Sequence, residues 1–244
     1  LLIKPQALFG LPVLLVILIK KYPLKNMIQF TLYSLLFTLF LSWPFFTHQP
    51  ITGLPALIWQ MGKDYSYTTL NAFNFWQLFG NWQPDSLEFL GVSYQLWGVM
   101  LYSCFLLIII LNVILSKLEG FGMTVRYYYA ATLSLIVFFL FMTRMHERYL
   151  LPALVFLLLG GALTRSVTWL IFYLLLSGLH FLNLYHVYSL YQPGGLFNSF
   201  SPPIIWLLSL LTVFLFFFLF IFFLKPALLI KADKFFLRLK KSLN

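Results

Sequence analysis

The sequence predicts an all-α integral membrane protein: a polytopic bundle of about seven transmembrane helices, with short interfacial helices in a long outer loop. Three observations lead there. Of 244 residues, 61% are hydrophobic and 9% charged, with a mean hydropathy of +0.91, which is more apolar surface than one soluble core of this length can hide. The apolar residues form runs long enough to cross a bilayer, which takes roughly 20 helical residues. The cations gather in short segments between those runs. That pattern fits membrane orientation and not the single basic face of a nucleic-acid binder, despite a net charge of +10.

Taken in order, the candidate spans are Leu1 to Ile19, Met27 to Phe46, Val92 to Ser116, Tyr127 to Thr143, Leu150 to Thr164, Ser166 to Tyr188, and Ile204 to Leu224. The fifth is short, and Pro152 near its start suits a first helical turn, so that helix is expected to be tilted or incomplete. Alternating the spans places Lys20, Lys21, Lys25, Lys117, Arg126, Arg165, Lys225 and the five later cations on one side, twelve of sixteen in all. The positive-inside rule makes that side cytoplasmic. The outer side then receives Lys4, Lys63, Arg144 and Arg148 against Asp64, Asp85, Glu88 and Glu147.

Residues 1–244 read as one transmembrane domain, with an outer loop over 44–91 and a basic cytoplasmic tail over 225–244 that grips anionic lipid. The chain opens Leu1-Leu2-Ile3 without an initiator Met or signal-peptide features, so it is expected to be the C-terminal portion of a longer protein. The single Cys104 sits in an apolar run, leaving no disulfide framework and no cysteine metal cluster.

The outer loop is rich in aromatic and amide side chains, a composition that argues for order. Leu54 to Met61 and Thr69 to Phe79 read as short amphipathic helices at the membrane surface, with Trp59, Trp76 and Trp82 at headgroup depth. Asn71 and Asn74, three apart, would share a helical face. These amides either cap and brace the loop or pair with sugar hydroxyls. Trp76 is either part of an interface belt or a platform for the apolar face of a sugar.

The densest polar feature is Arg144, His146, Glu147 and Arg148, set between two uncharged apolar runs. On a helix, Arg144, Glu147 and Arg148 would fall on one face with His146 to the side. One carboxylate between two guanidiniums leaves a positive surplus that a phosphate or diphosphate would complete. His146 could hold or protonate a phosphate leaving group. The alternative is a pair of snorkelling arginines anchoring a helix end beside a structural His-Glu pair. Lys4 starts a span from the outer side and could reach the same anion or snorkel. His48, His180 and His186, lone histidines among aromatics, read as hydrogen-bonded interface residues.

The segment Arg144-Met145-His146-Glu147-Arg148-Tyr149-Leu150-Leu151-Pro152 resembles the His-Glu-Arg-Tyr segment of bacterial GT-C glycosyltransferases, especially the GPI-mannosyltransferase-like membrane proteins. Asn71-Ala72-Phe73-Asn74-Phe75-Trp76 and Lys4-Pro5-Gln6 are similar to two further segments of that group, in the same order. The resemblance implies an inverting enzyme of the bacterial cytoplasmic membrane. It would move a hexose, commonly mannose or glucose, from a polyprenyl-phosphate-sugar to a glycan, lipid or protein acceptor on the extracytoplasmic face. His146 and Glu147 would be catalytic, Arg144, Arg148 and Lys4 would bind the donor phosphate, and Asn71, Asn74, Trp76, Gln6 and Tyr149 would contact sugar or acceptor. The family's general base lies in an outer loop that would precede Leu1. No metal ligand set is assigned, although a divalent ion is compatible with the chemistry. The rival classes are a transporter or flippase of lipid-linked sugars, a noncatalytic membrane subunit, and an O-antigen-type ligase or polymerase.

Overall fold

In the computed structural model, which describes residues 10–61, 65–192, 199–226 and 228, six helices are long and apolar enough to cross a membrane. This is the pattern of a multi-pass membrane protein. Lys4, Gln6, Lys63, Asp64 and nearly all of the basic tail lie outside the described residues. The chain forms two compact units, Leu1–Ser66 and Tyr67–Asn244.

In the first unit, α1 (Leu11–Lys21) starts with a proline in its first turn and ends with Lys20 and Lys21, where the helix dipole favours cations. The extended Pro23 separates it from α2 (Leu24–Ser42), which runs into a 3-10 turn at Trp43–Phe45. The first expected span is described only from residue 10 onward, as an 11-residue helix. The expected helix over Leu54 to Met61 is present as α3 (Gly53–Met61). Its first residue must be small, because a Cβ there would stand 2.4 Å from the Phe46 ring.

The second unit contains α4 (Tyr94–Ile114), α5 (Gly120–Phe141), α6 (Leu151–Thr164), α7 (Val167–Tyr191) and α8 (Pro202–Leu224). The most buried of these is α5, whose residues 132–141 are all inaccessible and which packs against α4, α6 and α8. Glycines set the close approaches. A Cβ on Gly98 of α4 would stand 2.7 Å from the Phe141 carbonyl, and one on Gly160 of α6 would enter the Trp169 indole of α7.

Three sequence expectations need correction. First, α5 begins at Gly120 and not at Tyr127, so Arg126 belongs to the helix. Its guanidinium donates to Asn112 of α4 and lies 5.1 Å from the Phe223 ring centre on α8. A hydropathy reading stops at the first charge, whereas an arginine near a helix end can find an amide and an aromatic face. Second, the short fifth span is lengthened by a 3-10 turn over Glu147–Leu150, giving a continuous 18 residues. Pro152 does fall in the first turn of α6.

Third, Thr69 to Phe79 is not an amphipathic helix. Thr69–Leu70 forms β1, a 3-10 turn covers Trp76–Leu78, and Glu88–Phe89 (β2) pairs antiparallel with Val92–Ser93 (β3). Asn71, at φ +61, stops any helix, because its left-handed backbone and side-chain bonds to the chain favour a turn. Leu90 and Gly91, both at positive φ, make the tight two-residue turn of the β2–β3 hairpin.

Candidate functional site

After α5 the backbone extends at Met142 and then runs beside the loop. Met145–His146 forms β4, parallel to β1, with Thr69 opposite Met145 and Leu70 opposite His146. Asn71 also bridges to His146, and the Arg144 N–H donates to the Tyr67 carbonyl at 2.9 Å. The tetrad is therefore part of a small β-interaction, with Arg144 itself left-handed at φ +64. It does not form the helical face expected from the three- and four-residue spacings. Sheet pairing with residues far back in the chain outweighs local spacing here.

The charge balance also differs from the sequence expectation. Arg144 Nε donates to Asp85 Oδ2 at 2.7 Å, and Thr143 Oγ1 donates to the same oxygen at 3.3 Å. Asp85 is buried. The loop thus supplies a second carboxylate, and the expected surplus of one positive charge is cancelled. Asp85 lies 59 residues from Arg144, so no local pattern could reveal the pair.

Beyond Arg144, Glu147 is buried and Arg148 half exposed. Arg148 Nη1 donates to Glu147 Oε1 at 3.2 Å, and His146 Nδ1 lies 3.9 Å from Oε2. Tyr149 sets its ring edge against His146, with centroids 5.3 Å apart, and its face lies 5.5 Å from the Arg148 guanidinium. Burial pushes the His146 pKa below its ordinary value and the nearby Arg148 charge pushes it further, while Glu147 opposes them. His146 is therefore a neutral imidazole at neutral pH, able to donate from one nitrogen and accept at the other. Among the described residues, Glu147 is the hydrogen-bond partner of Arg148, which leaves most of the guanidinium's five donors for another acceptor.

The other predicted residues brace the loop. The Asn71 Oδ1 accepts from Trp82 Nε1 at 3.1 Å and from Asn81 Nδ2, while Asn81 Oδ1 accepts from the Asn71 N–H at 3.0 Å. Asn74 donates to the Phe139 carbonyl and accepts from the Gln77 N–H. Trp76 is buried, and its indole N–H donates to the Phe141 carbonyl at 2.7 Å, so it is no headgroup-depth anchor. Phe141 closes α5, where a last-turn carbonyl has no partner inside the helix. Both Asn74 and Trp76 fasten the loop to that helix end.

Sequence reasoning missed the contribution of α7. Asn183 Oδ1 accepts from the Phe73 N–H at 2.9 Å, and its Nδ2 donates to the Asn71 carbonyl at 2.6 Å. His180, Asn183 and His186 are all buried and repeat every three residues along one face. His186 Nδ1 accepts from the Phe200 N–H at 3.2 Å and its ring stacks on Phe200. The available signal was this polar stripe in an otherwise apolar helix, where an amide needs a partner.

Among the described residues, no group of three or more His, Cys, Asp or Glu side chains is arranged to hold a metal ion. In comparisons with protein families, curated proteins and solved structures, the chain matches none.

Proposed function

We propose that this protein is a membrane glycosyltransferase that moves a hexose, mannose or glucose, from a polyprenyl-phosphate donor to an acceptor on the extracytoplasmic face. The observation that carries the proposal is the Glu147 carboxylate holding Arg148 on one oxygen and facing His146 on the other, on a turn braced by Asp85, Asn71 and Asn183. A half-exposed guanidinium with donors to spare beside a neutral imidazole suits a lipid-linked phosphate. The motif resemblance supplies the sugar chemistry.

In this mechanism an acceptor hydroxyl attacks the anomeric carbon, and the bond from that carbon to the phosphate oxygen breaks. The carrier phosphate departs with the electron pair. Arg148 and the His146 N–H stabilise the charge growing on that oxygen, where fixed donors act most strongly. Glu147 orients both. The acceptor's proton passes to a carboxylate base, the group that the resemblance implies for that step. Because Arg144 is engaged by Asp85, its role is to shape the turn. Asn71, Asn74 and Trp76 likewise build the wall against which the sugar would rest.

The test is sugar transfer from a polyprenyl-phosphate hexose by the protein in membranes. Arg148→Ala and His146→Ala should each lower turnover about 100-fold, the usual effect of removing one fixed donor. Full activity in both variants, with normal insertion, would remove the site assignment. Carrier flux across vesicles without covalent transfer would favour a flippase.

A further inference from the structure

At the opposite end of α6 from Glu147, Arg165 and Ser166 turn the chain into α7. Ser166 caps that helix by accepting the Trp169 N–H at 3.3 Å. Beside this elbow lies a hollow of about 290 Å³, walled by Leu158, Gly161, Ala162, Trp169 and Tyr173, with Arg165 at its edge. Small residues create it. Gly161 and Ala162 leave room on α6, while Trp169 is drawn onto Gly160, where no side chain could fit.

Arg165 stands at φ +51, a backbone conformation that glycine takes without steric cost and arginine does not. It is exposed, it is the only charged residue lining the hollow among the described residues, and it sits at the positive end of the α7 dipole. Apart from Ser166, the remaining lining is aliphatic or aromatic, and Leu158 and Leu170 in it are exposed, on two helices long enough to span a bilayer. The hollow falls just under the roughly 300–1,000 Å³ of small-molecule pockets, so it suits part of a chain-like ligand.

We propose that this elbow is a binding site for one anionic phospholipid, with a segment of acyl chain in the hollow and the phosphate on Arg165. A soluble anion would leave the apolar walls unused, and a zwitterionic lipid would gain less from the uncompensated cation. The site is separate from the proposed glycosyl-transfer site and does not depend on it.

The experiment uses the full chain in phosphatidylcholine vesicles containing phosphatidylglycerol with a photoreactive acyl chain, followed by peptide mapping of the crosslinks. Labelling should concentrate between Leu157 and Tyr173 and be competed by unlabelled phosphatidylglycerol but not by phosphatidylcholine. It should fall about fivefold in Arg165→Gln, the ratio expected for one cation near a membrane surface. Ala162→Phe, which fills the hollow, should lower labelling there while leaving crosslinks elsewhere unchanged. Equal labelling by a photoreactive phosphatidylcholine, no labelling of this stretch, or insensitivity to Arg165→Gln would each overturn the proposal. His146→Ala should leave the labelling as it is in the wild type.

Discussion

The two ends of the second unit handle polar residues in opposite ways. At one end, Asp85, Arg144, Glu147 and Arg148 form two carboxylate–guanidinium pairs, and Asn71, Asn74, Trp76 and Asn183 each bond to backbone or to one another. At the other end, Lys117, Arg126, Arg165 and Lys225 lie in or beside helix termini, and Glu119 is the only acid there among the described residues. No carboxylate ion pair to these four cations is present among the described residues. The first end is assembled by long-range contacts and has one fixed shape. Apart from Arg126, which bonds Asn112 and packs on Phe223, the second end presents charge to its surroundings. A site that must stabilise a transition state needs the first arrangement, whereas orientation against anionic lipid needs only the second.

The sharpest way to break this contrast is at Asp85. Asp85→Ala removes the buried carboxylate that Arg144 and Thr143 share and should destabilise the detergent-solubilised protein by about 3 kcal/mol, the lower range for removing one partner of a buried pair. Thermal unfolding reads this directly, and a change near zero would mean that the pair does not hold the turn. Asn183→Ala leaves the Phe73 N–H and the Asn71 carbonyl without partners and should cost about 2 kcal/mol. Lys117→Gln at the opposite end should change stability by less than about 0.5 kcal/mol, as surface substitutions usually do.

The smallest expected effect is a dependence on pH. The folded-state pKa of His146 lies below the ordinary value of 6.5, so between the two values the unfolded chain binds more protons than the folded one. Stability should therefore fall as pH drops below about 6.5 and be insensitive to this group above it. Comparison of melting temperatures between the wild type and His146→Gln across that window isolates the contribution. An identical pH slope in both proteins would show that His146 is not buried as described.

Much of the helical frame was legible because long apolar runs have few alternatives to a span: α4, α7 and α8 begin and end within three residues of the expected bounds. The boundaries that failed were polar ones. Arg126 masked the first two turns of α5, and Glu147 and Arg148 hid the 3-10 turn that completes the sixth helix. The tetrad stood out by composition, but its shape did not. Its partners, Asp85 and the β1 strand, are 59 and 76 residues away from Arg144 and Met145. Asn71 and Asn74 were visible as amides at helical spacing, yet the left-handed backbone of Asn71 and the bonds of the Asn74 side chain to backbone oppose a helix. Side-chain spacing within a segment carries no information about pairing across such separations.

On the proposed function, Arg148 faces a lipid-linked phosphate from the extracytoplasmic side. The most direct test is an Arg148→Cys variant in a Cys104→Ala background, labelled in oriented vesicles with a membrane-impermeant thiol reagent. Labelling is expected from the extracytoplasmic side only, and more slowly when polyprenyl phosphate is present. Labelling from the cytoplasmic side, or a rate unaffected by polyprenyl phosphate, would contradict it.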